Sequence, residues 1–299
     1  MKSFVSTIAI AVALAIPFVP CGAAAAAAQD GPSPCDAAGD HRSVSSFLDC
    51  ARAATQKYQD QAIATLDGYR RVGGDFPAMG EHWINVSLVF DNHFEPTAPQ
   101  VLTYIVVAGR PRLLGIAYAL PLLSGESAPE WPAGPEAWHD HSRTIESETL
   151  LPQHHPHAQH AAPSARLAML HAWLWAQNPD GVFAAENWTI PFVRLGLTPP
   201  PDAPAAAGKA LSLVTGGAEH LSMMIDAAAP MTARERRAVN GAVNGARGAV
   251  MALLRDRAAS MVTSADATAF AEIWSRLWPR IDAAVTPATA DRLRHLAFR

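Results

Sequence analysis

The sequence predicts an α+β fold: an N-terminal helix, a small antiparallel sheet with a histidine-rich loop, and an all-α C-terminal part. Three observations support this. Apolar residues recur at helical spacing after residue 44, β-rich runs occupy residues 83–123, and the chain beyond residue 205 is alanine-rich without a strand pattern. We predict an α+β domain over residues 29–197, which carries the histidine cluster, and a helical region over residues 205–299.

The first residues have the pattern of an export signal. Lys2 provides a positive charge, Phe4–Val19 is apolar, and the alanine run Ala23–Ala28 offers small residues for cleavage. We therefore predict a signal peptide over residues 1–28, a periplasmic or secreted location in a bacterium, and no transmembrane segment after cleavage. Cys21 follows a proline rather than a small residue, which argues against a lipoprotein.

Two cysteines remain after the predicted cleavage, Cys35 and Cys50, and an even number in an exported chain predicts a disulfide. The formal net charge is −4, and it becomes −5 when Lys2 leaves with the signal peptide. This balance argues against a nucleic-acid partner, which requires a basic face. A small-molecule ligand remains open, and the sequence does not give the oligomeric state.

The α+β region should begin with one amphipathic helix, Val44–Arg71, that stops at two glycines. Three strand-like runs follow. They are Trp83–Phe90, Val101–Val107 and Arg112–Leu120. A short Gly/Pro turn between the last two predicts a hairpin. Beyond the histidine-rich stretch, the spacing of apolar residues predicts a helix over Ser164–Gln177.

The C-terminal region follows a proline-rich linker, Thr198–Pro204. Thr232 and Glu235 have the spacing of a capping box and should begin a helix that reaches residue 260. Ser264 or Asp266 should cap a further helix, and a last short one should begin at residues 286–287. These signals predict three or four helices.

Histidines are concentrated in one part of the chain, where seven of the twelve fall between His139 and His171. Neutral imidazole is a common ligand of transition metals. His139 and His141 would point to the same side of a strand, and Glu146 adds a carboxylate. This His-x-His-x4-Glu spacing resembles the spacing in cupin-type metal sites, although the second cupin motif and the flanking glycines are missing.

We predict a metal site formed by His82, His139, His141, His171 and Glu146 that binds a divalent transition metal ion (Zn, Cu, Mn or Fe). One ion can join these side chains only if their rings lie within about 10 Å of each other. An open coordination position would support hydrolytic or oxidative chemistry. No catalytic signature such as His-Glu-x-x-His fixes a reaction, so whether the chain is an enzyme stays open.

Two other interpretations remain open. The histidines could be structural in a non-catalytic envelope protein, whose tryptophans bind a small ligand or a partner. The tryptophans concerned are Trp131, Trp138, Trp173, Trp175 and Trp188. Alternatively, a proline-flanked loop could buffer periplasmic Cu or Zn weakly, or could be a solvated linker. Its histidines are His154, His155, His157 and His160.

Four segments together resemble a family of uncharacterised exported bacterial proteins, over about residues 50–195. The segments are Tyr58–Tyr69, Met79-Gly-Glu-His-Trp-Ile-Asn85, Phe94–Tyr104 with Leu114–Tyr118, and Leu170–Phe183. Two family motifs read Met-Gly-x-His-Tyr-Val-Asn and Leu-His-x-Trp-x4-Asn-Pro-x-Gly, so His82 and His171 correspond to its characteristic histidines. Where relatives commonly carry glutamates, this chain has Ile105 and Ala117. The resemblance therefore implies that a metal site here is built differently, with Trp138-His-Asp-His-Ser142 as the substitute.

Overall fold

Along the chain, an N-terminal helix is followed by an antiparallel sheet and then by a set of C-terminal helices, which confirms the predicted α+β class. The structure is a computed structural model that describes residue 35 and residues 43–123, 125–140, 166–215, 231–255 and 261–297. All of these residues belong to one compact unit, Ser33–Arg299. Several predicted features lie outside the described residues. They are the signal peptide, Cys21, His141, Glu146, His154, His155, His157 and His160.

The predicted N-terminal helix is shorter than expected, because the chain turns at Asp60. Helix α1 covers Val44–Thr55, a 3-10 turn covers Gln56–Gln59, and α2 covers Gln61–Leu66. Asp60 has extended backbone angles, and its carboxylate accepts a hydrogen bond from the Ala62 amide at 2.9 Å, so it caps a second helix. The predicted disulfide between Cys35 and Cys50 is confirmed, with Cα atoms 4.7 Å apart.

Six strands form one sheet with the order β1-β2-β3-β4-β6-β5, and all neighbours are antiparallel. The strands are β1 Arg70–Phe76, β2 Gly80–Ile84, β3 Val101–Val107, β4 Arg110–Leu122, β5 His139–Asp140 and β6 Arg166–Ala172. The predicted hairpin is β3–β4. Its turn residues Ala108 and Gly109 both have positive φ angles, 49° and 76°, as tight hairpin turns require.

Two further sequence predictions of secondary structure were wrong. The run Trp83–Phe90 is not one strand, because the Asn85 side chain accepts a hydrogen bond from the Leu88 amide at 3.3 Å and caps helix α3, Val86–Asp91. Within the predicted helix Ser164–Gln177, the chain instead forms strand β6. Since β6 is buried on both faces, it reads as a continuous apolar run, which periodicity does not distinguish from a buried helix.

The two faces of the sheet carry different cores. On one face, α1 and the aromatic side chains of the central strands pack together, and Phe47, Leu102, Tyr104, Tyr118 and Leu170 are all buried. The opposite face carries smaller aliphatic residues, which are Ile84, Val101, Ala117, Ala119, Leu167 and Met169. Of the predicted site residues, His82 and His171 lie on this second face.

The C-terminal region is helical, as predicted. Its helices are α4 Ile190–Arg194, α5 Ala205–Ser212, α6 Ala233–Arg255, α7 Ser264–Asp282 and α8 Pro287–Ala297. The capping box is confirmed, since the Glu235 amide donates to Thr232 Oγ1 at 3.2 Å and the Thr232 amide donates to the Glu235 carboxylate at 2.8 Å. A second box caps α7 with Thr263 as N-cap and Asp266 three residues later. None of the described helices has the length and apolar character to cross a membrane.

A glycine allows the helical region to pack closely against the segment that follows the sheet. Trp188 and Phe192 are buried in the same core as the residues of α5, α6 and α7. Helix α5 approaches so closely that a Cβ atom on Gly208 would overlap the Trp188 carbonyl group. Only glycine permits this approach, so Gly208 fixes the position of α5 against the chain that leaves the sheet.

Candidate metal-binding site

Strand β2 places His82 on the aliphatic face of the sheet. The strand begins at Gly80, which has a φ angle of 90° and which lies so close to the Tyr104 carbonyl oxygen that a Cβ would overlap it. From there the side chains alternate, so Glu81 and His82 face opposite sides. His82 is directly opposite Thr103 of β3 and is fully buried.

Strand β6 places His171 on the same face. His171 is paired with Ala117 of β4 and is buried. Two residues later, Trp173 stacks near it, with the ring centres 5.4 Å apart. The Trp173 indole donates a hydrogen bond to the Ala184 carbonyl at 2.7 Å, and its amide donates to the Val182 carbonyl at 2.9 Å. These bonds fold the Asn-Pro-Asp-Gly loop back onto the end of the strand.

The structure brings three of the predicted site residues together. The ring centres of His82 and His171 are 5.5 Å apart, and those of His139 and His171 are 5.1 Å apart. Phe76 of β1 also lies next to His82, with a separation of 5.0 Å between ring centres. His171 is therefore the central ring of the group, with His82 and His139 as its two imidazole neighbours.

Small residues lie between the two buried histidines. Strands β3 and β4 separate β2 from β6. Neighbouring strands are about 4.8 Å apart, so the backbones of β2 and β6, three steps apart, are separated by about 14 Å. The ring distance of 5.5 Å thus requires His82 and His171 to lean toward each other. On β3 and β4, the residues opposite them are Thr103 and Ala117, whose small side chains leave space for the two rings.

The spacing of each histidine pair is suitable for a shared ion. Two imidazoles that bind one ion through nitrogens at about 2 Å have ring centres about 5 Å apart. Among the residues that the structure describes, however, no three His, Cys, Asp or Glu side chains are placed to hold one ion together. The described part of the chain therefore offers a pair of histidines, and a complete site needs a further ligand.

The nearby carboxylate of Glu81 is directed to the other face of the sheet. Its oxygens accept from Arg71 at 2.8 Å and from the Trp83 indole at 3.1 Å. Glu81 thus stabilises the edge of the sheet and does not contribute to the histidine group. The tryptophans also divide, since Trp173 lies beside His171 while Trp138 packs in the aromatic core of the opposite face.

Sequence reasoning missed two residues at the site, Phe76 and Thr103. Thr103 lies in an apolar run, and its only signal is that it shares a strand face with Val101 and Ile105. That face becomes relevant only when β3 is known to pair with β2 through His82.

Comparison with known proteins adds no further information on the site. No protein-family model matches the chain, and no curated protein or solved structure matches it.

Proposed function

We propose that this chain is an exported protein that binds one divalent transition metal ion at the buried pair His82 and His171. The two side chains are neutral nitrogen ligands in a water-poor environment, which suits Zn, Cu, Mn or Fe. The disulfide between Cys35 and Cys50 supports an oxidising compartment and hence export. If the bound metal ion keeps one coordination position open to a substrate, the site can also support hydrolytic or oxidative chemistry.

One observation carries this proposal. His82 and His171 come from two separate sequence motifs and two strands that are not neighbours, yet their rings are 5.5 Å apart and both are buried. Two buried imidazoles side by side can act as two nitrogen ligands of one ion. The same histidines are those that correspond to the characteristic ones of the resembling family.

A third ligand has to come from elsewhere, and His139 is the nearest described imidazole. It belongs to the two-residue edge strand β5 and is only partly buried, so its ring can turn toward the ion at a small cost in core packing. His141 and Glu146 are the other predicted ligands. Separate variants of these three residues, each assayed for metal content, would identify the one that completes the site.

The first experiment is metal analysis by mass spectrometry of untagged protein purified from the periplasm. Wild type should contain close to one equivalent of metal, and His82→Ala and His171→Ala should contain none. His93→Ala is a matched control, because His93 is an exposed histidine, 69 % accessible, that pairs with Glu95 outside the site. The control should keep its metal.

A second measurement distinguishes the loss of a metal ligand from a loss of metal that results from misfolding of the variants. X-ray absorption of the wild-type protein should show at least two imidazole ligands on the metal, without any variant. A wild-type protein that neither retains metal nor takes it up after addition of Zn, Cu, Mn or Fe salts would overturn the proposal.

A cluster of aromatic residues on the opposite face supports a second candidate function, binding of a small ligand. The ring centres of Trp138 and Phe94 are 5.5 Å apart, and those of Trp131 and Phe47 are 6.4 Å apart. Both indole N–H groups are buried, and among the described residues neither has an acceptor. A ligand with two acceptor atoms would satisfy them. Native mass spectrometry should then show a bound mass that Trp131→Phe/Trp138→Phe lacks, whereas identical masses would exclude it.

A further inference from the structure

We propose that the Thr103 hydroxyl binds a small anion, which fills the open position of the ion at His82 and His171. This inference rests on the proposed function and goes beyond it, because it names the class of the non-protein ligand. The ligand class is a monoanion of a few atoms, in the size range from hydroxide to formate or bicarbonate.

Thr103 carries a polar group that the fold leaves unsatisfied. The side chain is fully buried in the central strand β3, and no residue in the described part of the chain accepts or donates a hydrogen bond at its Oγ1 atom. Buried hydroxyl groups are normally hydrogen-bonded, since removal from water without a partner is unfavourable. The exception therefore points to a partner that is not part of the described chain.

The position of Thr103 assigns that partner to the histidine pair. Thr103 is directly opposite His82 on β2, and its other neighbour in the sheet is Gly115, which has no side chain. Side chains directly opposite in an antiparallel pair have Cβ atoms about 5 Å apart. A group that accepts a hydrogen bond from Thr103 thus lies next to His82.

Charge favours an anion in that position. A divalent ion bound by imidazoles alone, with His139 or His141 as the third ligand, keeps its full charge of +2, and a buried charge needs compensation. In the described residues, no carboxylate completes a three-ligand group with the two histidines, and Glu81 faces the other side of the sheet. The hydroxyl of Thr103 can donate a hydrogen bond to an anion, so it favours a ligand that carries a hydrogen-bond acceptor at this position.

The aromatic neighbours limit the size of the anion. Phe76 lies 5.0 Å from His82, and Trp173 lies 5.4 Å from His171, both measured between ring centres. Each histidine of the pair thus has an aromatic ring beside it, which favours a small anion next to the ion. The same aromatic surroundings exclude water, which strengthens a hydrogen bond from Thr103.

The test uses the full-length protein loaded with Co(II), with azide as the probe anion. Azide binding is followed through the visible spectrum of Co(II) in wild type, Thr103→Val and Thr103→Ser. Valine has the shape of threonine but no hydroxyl, whereas serine keeps the hydroxyl and loses the methyl group. We expect the Kd of azide to rise about tenfold or more in Thr103→Val and to stay within about threefold of wild type in Thr103→Ser.

The Co(II) content separates failure of this inference from failure of the proposed function. Equal Co(II) content with an equal azide Kd in wild type and Thr103→Val would overturn the anion site alone. A wild-type protein that takes up no Co(II) would overturn both. An azide Kd that rises only in Thr103→Val, at unchanged Co(II) content, supports the inference.

A metal-free measurement gives an independent result. Without metal, Thr103→Val should have a higher Tm than wild type, because it replaces an unsatisfied hydroxyl by a methyl group of similar shape. With Co(II) and azide bound, the order should reverse, since wild type then gains the hydrogen bond. A lower Tm of Thr103→Val in the metal-free protein would show that the hydroxyl already has a partner and would overturn the inference.

Discussion

Arg194 of helix α4 binds both carboxylate oxygens of Asp75 on strand β1 through its two terminal nitrogens. The side chains are only 5 % and 22 % exposed, and Arg194 also donates to the Phe76 carbonyl at 3.3 Å. Because Phe76 packs on His82, this ion pair holds the edge of the sheet beside the histidine pair.

Breaking this pair should be costly. Asp75→Asn leaves the buried guanidinium of Arg194 without its counter-charge, and we expect the free energy of unfolding to fall by about 3–5 kcal/mol. Glu272→Gln is a matched control, since it removes one charge from the exposed Glu272–Arg276 pair and should change stability by less than about 1 kcal/mol. Urea unfolding measures both. A similar small change in both variants would show that the buried pair adds no stability.

Two helical glycines should respond to alanine in opposite directions. Gly208→Ala introduces a Cβ that overlaps the Trp188 carbonyl, so we expect a loss of about 1–3 kcal/mol. Gly241 of α6 is exposed and has open space around it, so Gly241→Ala should stabilise the protein by up to about 1 kcal/mol through helix propensity. Thermal unfolding of both variants tests this pair. A stabilised Gly208→Ala protein would contradict the close packing of α5.

The four tyrosines of the chain should resist ionisation as long as the protein is folded. Burial raises the pKa of Tyr58, Tyr69, Tyr104 and Tyr118 above the ordinary tyrosine value, and a hydrogen bond to Asp67 raises that of Tyr58 further. A raised pKa in the folded state contributes stability that is complete below about pH 10, the unfolded value, and is lost as pH rises toward the folded one.

Tyrosinate absorbance near 295 nm should therefore appear together with alkaline unfolding, as a single cooperative step above about pH 10. Near-ultraviolet circular dichroism in the same titration reports the fold. Gradual ionisation of any tyrosine near pH 10 with an unchanged dichroism spectrum would contradict the burial of that ring.

Removal of the disulfide should destabilise the protein moderately. Cys35 and Cys50 are 15 residues apart in sequence, and closing a loop of this length stabilises a protein by about 3 kcal/mol in the chain-entropy view. Cys35→Ala/Cys50→Ala should lower the denaturation midpoint accordingly. Dithiothreitol should lower the wild-type midpoint to a similar value and leave the double variant unchanged. An effect of dithiothreitol on the double variant would point to another cause.

The sequence predicted the structural features that depend on interactions between residues close together in the chain. Thr232 and Glu235 satisfy each other at the start of α6, and the two residues after Val107 adopt the positive φ angles of a hairpin turn. Elements that depend on tertiary packing were not predictable. Strand β6 lies between β4 and β5, and nothing in its own apolar pattern shows that neighbours cover both faces.

The histidine group was predicted only in part, for a similar reason. Residue type and density singled out His139 and His171, and the motif resemblance added His82. Their proximity depends on the strand order β2-β3-β4-β6, which the spacing of residues does not contain. Thr103 was missed because its proposed role is defined by the residue opposite it on another strand.

His82 lies on β2, which pairs with β3, and His171 lies on β6, which pairs with β4. The two histidines therefore come together only after both outer strands have joined the β3–β4 pair. A nascent or partly folded chain therefore has no pair of these side chains to offer, and under the proposed function no fragment that ends before β6 can hold the ion. If the chain crosses a membrane unfolded, as the proposed export implies, it leaves the cytoplasm without metal. The compartment in which the last strand is added, and not the one in which the chain is made, would then determine which metal the protein receives.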